Sequence, residues 1–518
     1  MRTNASTARA SAPARLVDER RDSLHRVRRP PRARAVRDGA SSTPDASSAA
    51  STSDASNSFD ARSHARADVV DAAEAAARAV KTPHSGYHRR VGVERPFFEG
   101  WYFRVTLPRE RQSASLIYHV YDPDLPSSRR HGAGAQVCAP GGKYLYAESP
   151  NGASGFTASA HALELALTRG GDEFFEVARE GARHRGWLTS EGEDETGPWS
   201  GGCAARSVRW DITVTPVRGW GGGVGAKMVS PAGWMTALPV FEPHWQVTMA
   251  HGLASGWIET DGDRVEFSDC PAYSEKNWGG AGFPLKWWWT QCNSFPDYPD
   301  LSITATGGNR GVVVLPNVRE DVGAVGVHFG DRFFQFVPAQ QVEGESPDGY
   351  GAEAVLEASA VTWDVEWGKW SVTAVGERYE CSIEGACTDT DDSTVIRAPT
   401  DSLDDGMAPL CRETFTGSIV VSLWRLDARG ERRETIIDAA SSDTACLEIG
   451  GGPWIAPYRA SAEIRAPLGP LDAFFHLIFL ARQDLVPQFF GVLALPLQTL
   501  ASLFQRLLPS FPLLNFSH

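Results

Sequence analysis

The chain has 518 residues, 42% of them apolar, enough for two or three domains that each bury a core. Its net charge of −14 is uneven: residues 1–40 hold eleven Arg against four acidic residues, which leaves the remainder near −21. So acidic a body excludes nucleic-acid binding, which needs a concentrated basic surface, and eight Cys without a CxxC pair and thirteen His without HExxH predict neither a disulfide framework nor a metal.

Residues 1–80 are rich in Arg, Ala and Ser, almost devoid of aromatics, and lack the apolar block of a secretory signal. That composition suits a cleavable mitochondrial or chloroplast transit peptide, with a disordered tail that is never cleaved as the alternative. From His84 to about Ile464 the text changes to Trp, Gly and short alternating runs, the pattern of β-strands. Strands are predicted over 116–121, 208–217, 361–366 and 418–426. Two hairpins are sharper: Gly256–Glu259 turning at Asp261-Gly262 into Arg264–Phe267, and Val325–Phe329 turning at Gly330-Asp331 into Arg332–Phe336. With no βαβ alternation, antiparallel sandwiches or barrels are expected. Residues 468–518 form apolar stretches broken by Pro487, Pro496 and Pro509, too short to span a bilayer, and suit either a helical cap or a lipid-surface contact.

Three dense segments carry the chemistry-bearing side chains. In the first, Thr82–His88 leads to Phe97-Phe-Glu-Gly-Trp-Tyr-Phe-Arg104, where Glu99 and Arg104 are charges inside an aromatic run and call for salt bridges or hydrogen-bonded corners. The second, Pro239–Gln246, places His244 beside Trp245. The third, Pro271–Gly280, sets Tyr273 and Glu275 two apart, on one face of a strand, ahead of Lys286-Trp-Trp-Trp-Thr-Gln-Cys-Asn293. A salt bridge from Glu275 to neighbouring Lys276, or a buried network, is the plain structural alternative to a functional role.

The runs PHSGYH, FFEGWYFRV, GWMTALPVFEPHWQ, GLASGWIE, YSEKNWGGAGFPLKWWWTQCN, IRAPT and LEIGGGPW, in that order over residues 82–460, resemble the tocopherol cyclases of plants and cyanobacteria. More distantly, Tyr273-x-Glu275-x-Asn277-Trp278-Gly279 is similar to a Tyr-x-Asp-x-Asn-Trp-Gly segment of carotenoid hydratases. The resemblance implies an all-β fold of two lipocalin-like antiparallel barrels, here over 82–283 and 284–467. It implies cyclisation of a methylated phytyl-benzoquinol to γ- or δ-tocopherol without a cofactor, in the chloroplast, at a plastoglobule or plastid membrane surface.

Such a reaction needs a protonated carboxylic acid, a dry pocket and aromatic faces to shelter a tertiary cation. Glu275 is the expected acid, assisted by Tyr273 and His244. Trp245, Trp278, Asn277, Trp101 and Glu99 are expected around the substrate, and Glu99, Glu242 and Glu259 are alternative acids. Capture of the cation by water, as in a prenyl or carotenoid hydratase, and a non-catalytic lipid-binding barrel are the competing functions.

Overall fold

The computed structural model describes residues 82–89, 96–122, 132–170, 173–190, 203–223, 228–232, 242–280, 282–311, 319–337, 353–388, 393–400 and 406–463. The expected transit peptide over 1–80 and apolar tail over 468–518 lie outside the described residues. Among those described, the regular structure is β-strand, arranged in two sheets that follow chain order. The first sheet has thirteen strands between Phe98 and Gly279, and the second has twelve between Lys286 and Ala462. Pairing is antiparallel throughout except for Lys143–Glu148 with Cys203–Ala204 and Arg332–Val337 with Glu353–Ala358.

Both predicted hairpins are present. Thr260 pairs with Asp263 across a two-residue turn in which Asp261 and Gly262 have φ of 53° and 94°. Both central residues are then left-handed, which matches the twist of the flanking strands. Phe329 pairs with Arg332 around Gly330, at φ 59°.

Each sheet covers its own apolar core. Trp101, Phe103, Tyr118, Phe175 and Trp210 fill the first, and Trp288, Val325, Trp363, Trp370 and Leu447 fill the second. At roughly 25 cal/mol per Å2 and 150 Å2 or more per ring, each such aromatic contributes a gross burial term of about 4 kcal/mol. A third core, with Trp220, Tyr273, Trp287, Trp289 and Phe333, joins the two sheets. This inter-sheet layer also holds buried polar side chains. Arg104, buried in it, donates to Gln291 Oε1 at 2.7 Å, to Thr444 O at 2.6 Å and to Ser113 Oγ at 3.0 Å. Asn293 and Ser302 reach back to Ala272 O and Ala250 O at 2.9 and 3.0 Å.

Candidate active site

In the middle of the first sheet, Phe98–Leu107 lies between Gln112–Tyr121 and Asp263–Gly279, and the latter pairs with His244–Thr260. The register sets Tyr102 opposite Glu275, Arg104 opposite Tyr273, and Trp101 opposite Lys276. Side chains alternate across a sheet, so Tyr102, Arg104, Tyr273, Glu275, Asn277 and Trp245 face the second sheet, while Glu99, Trp101, Lys276, Trp278 and His244 face the core of the first. The expected site residues therefore separate into two groups.

Trp101 belongs to the first core and packs against Tyr87. Glu99 forms a buried ion pair with Lys276, whose Nζ also donates to Gly86 O at 2.7 Å. The other Glu99 oxygen accepts from the His88 backbone N–H at 2.9 Å. His88 stacks on Trp278 at 4.0 Å, His84 contacts both, and His244 packs on Trp278 at a centroid distance of 5.1 Å. Burial alone would raise the Glu99 carboxyl, but Lys276 and His88 outweigh it and hold Glu99 ionised. This cluster fastens the 82–89 segment to the sheet. It also answers the salt-bridge alternative for Glu275: Lys276 points through the opposite face and binds Glu99.

The second group borders a cavity of about 320 Å3 between the sheets, at the lower end of the range for small-molecule sites. Tyr102, Trp245, Glu275 and Asn277 wall it from the first sheet, and Trp287, Trp289 and Glu448 from the second. Glu99, Trp101 and His244 also border it, although their ring and charge partners lie on the other face. Tyr273 sits behind Glu275 and donates its hydroxyl to Oε2 at 2.6 Å. Burial raises the Glu275 carboxyl to about 7, against the opposing pull of the Tyr273 hydroxyl and the Trp245 and Trp289 indoles. Glu275 is 8% exposed and no cation is paired with it among the described residues. A carboxyl so placed is a proton donor at neutral pH, surrounded by aromatic faces suited to a carbocation.

The other candidate acids have structural partners. Glu259 pairs with Arg264 across the hairpin end, and Glu242 accepts from the Gly280 N–H at 2.5 Å.

Tyr102, Glu413 and Glu448 escape the sequence reading. On the second sheet, Lys286–Cys292 pairs with Arg432–Gly450, which pairs with Met407–Leu426, and Glu413 stands directly opposite Glu448. Trp287 Nε1 donates to Glu448 Oε1 at 2.5 Å, while Tyr102 Oη donates to Glu413 Oε1 at 2.7 Å and the Cys446 thiol donates to the same oxygen at 2.5 Å. Burial raises Glu413 to about 7 with Arg104 opposing, and burial plus the Glu413 charge pushes Glu448 well up. Tyr102 and Glu448 lie inside the runs FFEGWYFRV and LEIGGGPW, and an acid within Ala445-Cys-Leu-Glu-Ile449 was the signal available for the latter.

Residues 95–451 match the family model described as tocopherol cyclase-like. The chain is 37% identical over 420 residues to the chloroplastic tocopherol cyclase of Zea mays, covering 75% of this chain and 81% of that one. It is 37% identical over 417 residues to a probable chloroplastic tocopherol cyclase of Oryza sativa subsp. japonica, covering 74% and 81%. Among solved structures, CghA is matched with a TM-score of 0.36 and 10% identity over 69% of this chain and 89% of that one, a likeness too loose to bear on the argument.

Proposed function

The chain belongs to the tocopherol cyclase-like family, and we propose that it closes the chromanol ring of a methylated phytyl-benzoquinol, giving γ- or δ-tocopherol. The observation that carries this reading is Glu275, a carboxyl raised to about 7 by burial in a cavity walled by indoles. Glu275 protonates the nearest prenyl double bond, the tertiary cation forms against Trp245 and Trp289, and the phenolic oxygen captures it. Tyr273 holds the carboxyl in place through its hydrogen bond. Atoms are rearranged without oxidation or reduction, so the reading calls for no redox cofactor.

The proposal extends to the setting. The Arg-rich segment over 1–80 is the transit peptide of a chloroplast enzyme, in keeping with the relatives named chloroplastic. The apolar tail over 468–518 holds it at a plastoglobule or plastid membrane surface, and the two sheets are the walls of two lipocalin-like barrels.

The test is incubation of the full chain with phytyl-benzoquinol in D2O, followed by product analysis. A chromanol carrying one new deuterium supports ring closure by alkene protonation. A tertiary alcohol would make the protein a hydratase, and quinol bound but unchanged would make it a carrier.

A further inference from the structure

The cyclase reading leaves half of its proton chemistry unassigned: the phenolic hydroxyl must lose a proton as the C–O bond forms. On that reading, we propose that Glu448, with Glu413 behind it, accepts this proton, so that the site works through carboxyls on both of its walls. Glu448 borders the same cavity as Glu275 but belongs to the second sheet. Glu413, its cross-strand neighbour, is fully buried and hydrogen-bonded on one oxygen only. Two carboxyls in directly opposed register positions cannot both ionise cheaply. Arg104, buried nearby and without a carboxylate in salt-bridge contact among the described residues, favours a single negative charge on the pair. The pair therefore holds one proton, on Glu448, and one charge, on Glu413; as Glu448 takes the phenolic proton it gives its own to Glu413, whose Oε2 has no hydrogen bond.

A second observation marks where the phenol binds. Trp289 lies opposite Glu448 in the register and borders the cavity, and its indole also acts on the Glu275 carboxyl, so it links the two acidic walls. A quinol ring stacked there presents its oxygen to the Glu448 wall. With the oxygen there, the steps balance. Glu275 gives its proton to the less substituted alkene carbon, forming a C–H bond and a tertiary cation. The phenolic oxygen bonds to that cation, its O–H breaks, and the proton passes to Glu448. Returning one proton from Glu448 to Glu275 restores the resting site.

The experiment uses the full chain with phytyl-benzoquinol in D2O, reading both chromanol formed and deuterium in the prenyl chain of recovered quinol. Glu448→Gln keeps the acceptor for Trp287. It is expected to slow chromanol formation by about a hundredfold or more, the usual scale for loss of a general base, while deuterium still enters recovered quinol. Glu275→Gln is expected to lose both signals. Chromanol formation within about twofold of wild type in Glu448→Gln would overturn the assignment, as would joint loss of deuterium uptake and chromanol in a variant that melts like wild type. If Glu448→Gln does not fold, Glu448→Asp serves: slowed ring closure with alkene deuteration intact is expected, and an undiminished rate overturns the assignment. Wild type that makes no chromanol would defeat the cyclase reading itself, a failure visible before any variant is compared.

Discussion

Replacing Glu275 by Gln should make the protein more stable in alkaline solution while removing its activity. Gln retains an oxygen for the Tyr273 hydroxyl but cannot ionise. In the wild type, burial lifts the carboxyl from its ordinary 4.5 to about 7. A group whose folded pKa lies above its unfolded value stabilises the fold fully below the unfolded value, and that contribution is lost as pH rises to the folded value. At about 1.4 kcal/mol per decade, ionising Glu275 costs the folded chain about 3 kcal/mol once pH is well above 7. The variant is spared this cost, and the contributions of Glu413 and Glu448 are common to both proteins. Urea unfolding at about pH 5 and about pH 8.5 should therefore show the stability of the variant gaining on that of wild type by about 2 to 3 kcal/mol between the two conditions. Parallel stability profiles would refute the placement of Glu275 as a buried, unpaired acid.

Further outcomes follow from the same geometry. The rate of ring closure should fall on the alkaline side with a midpoint near 7, because only protonated Glu275 donates; a rate that climbs steadily through that region would exclude it. Lys276→Met leaves Glu99 charged and buried, and should cost about 3 to 5 kcal/mol by chemical unfolding. Glu99→Gln combined with Lys276→Met should recover most of that loss, since Gln still accepts from the His88 N–H. Gly450→Ala drives a methyl into the Trp287 ring. It should cost about 1 to 3 kcal/mol and displace the indole from Glu448, seen as lowered thermal stability and slower turnover.

The all-β fold was legible because alternation and Asp-Gly turns are local signals: the 256–267 hairpin follows from two residues that tolerate positive φ. Tyr273 and Glu275 on one face followed from their spacing alone. The division of the remaining site residues could not be read that way. Whether Trp101 shares a face with Glu275 depends on which residue stands opposite it, and the two are 174 positions apart in sequence; the observed register puts Lys276 there instead. His244 and Trp245 are neighbours in the chain, so at most one of them could face the acid, and register selected the tryptophan. Glu413 and Glu448 become a pair only through strand pairing across 35 residues, which no motif announces.

The cavity lies at a seam, with Glu275 on one sheet, Glu448 on the other, and Arg104 stitching the two sheets together from its buried position. A tertiary cation does not discriminate between an internal phenol and any other oxygen that reaches it. Product fidelity is thus a matter of how tightly the seam closes, and the residues that govern it need not touch the quinol. Slackening the Arg104 stitch would admit water to compete for the cation, and the enzyme would begin to release an open-chain tertiary alcohol beside its chromanol.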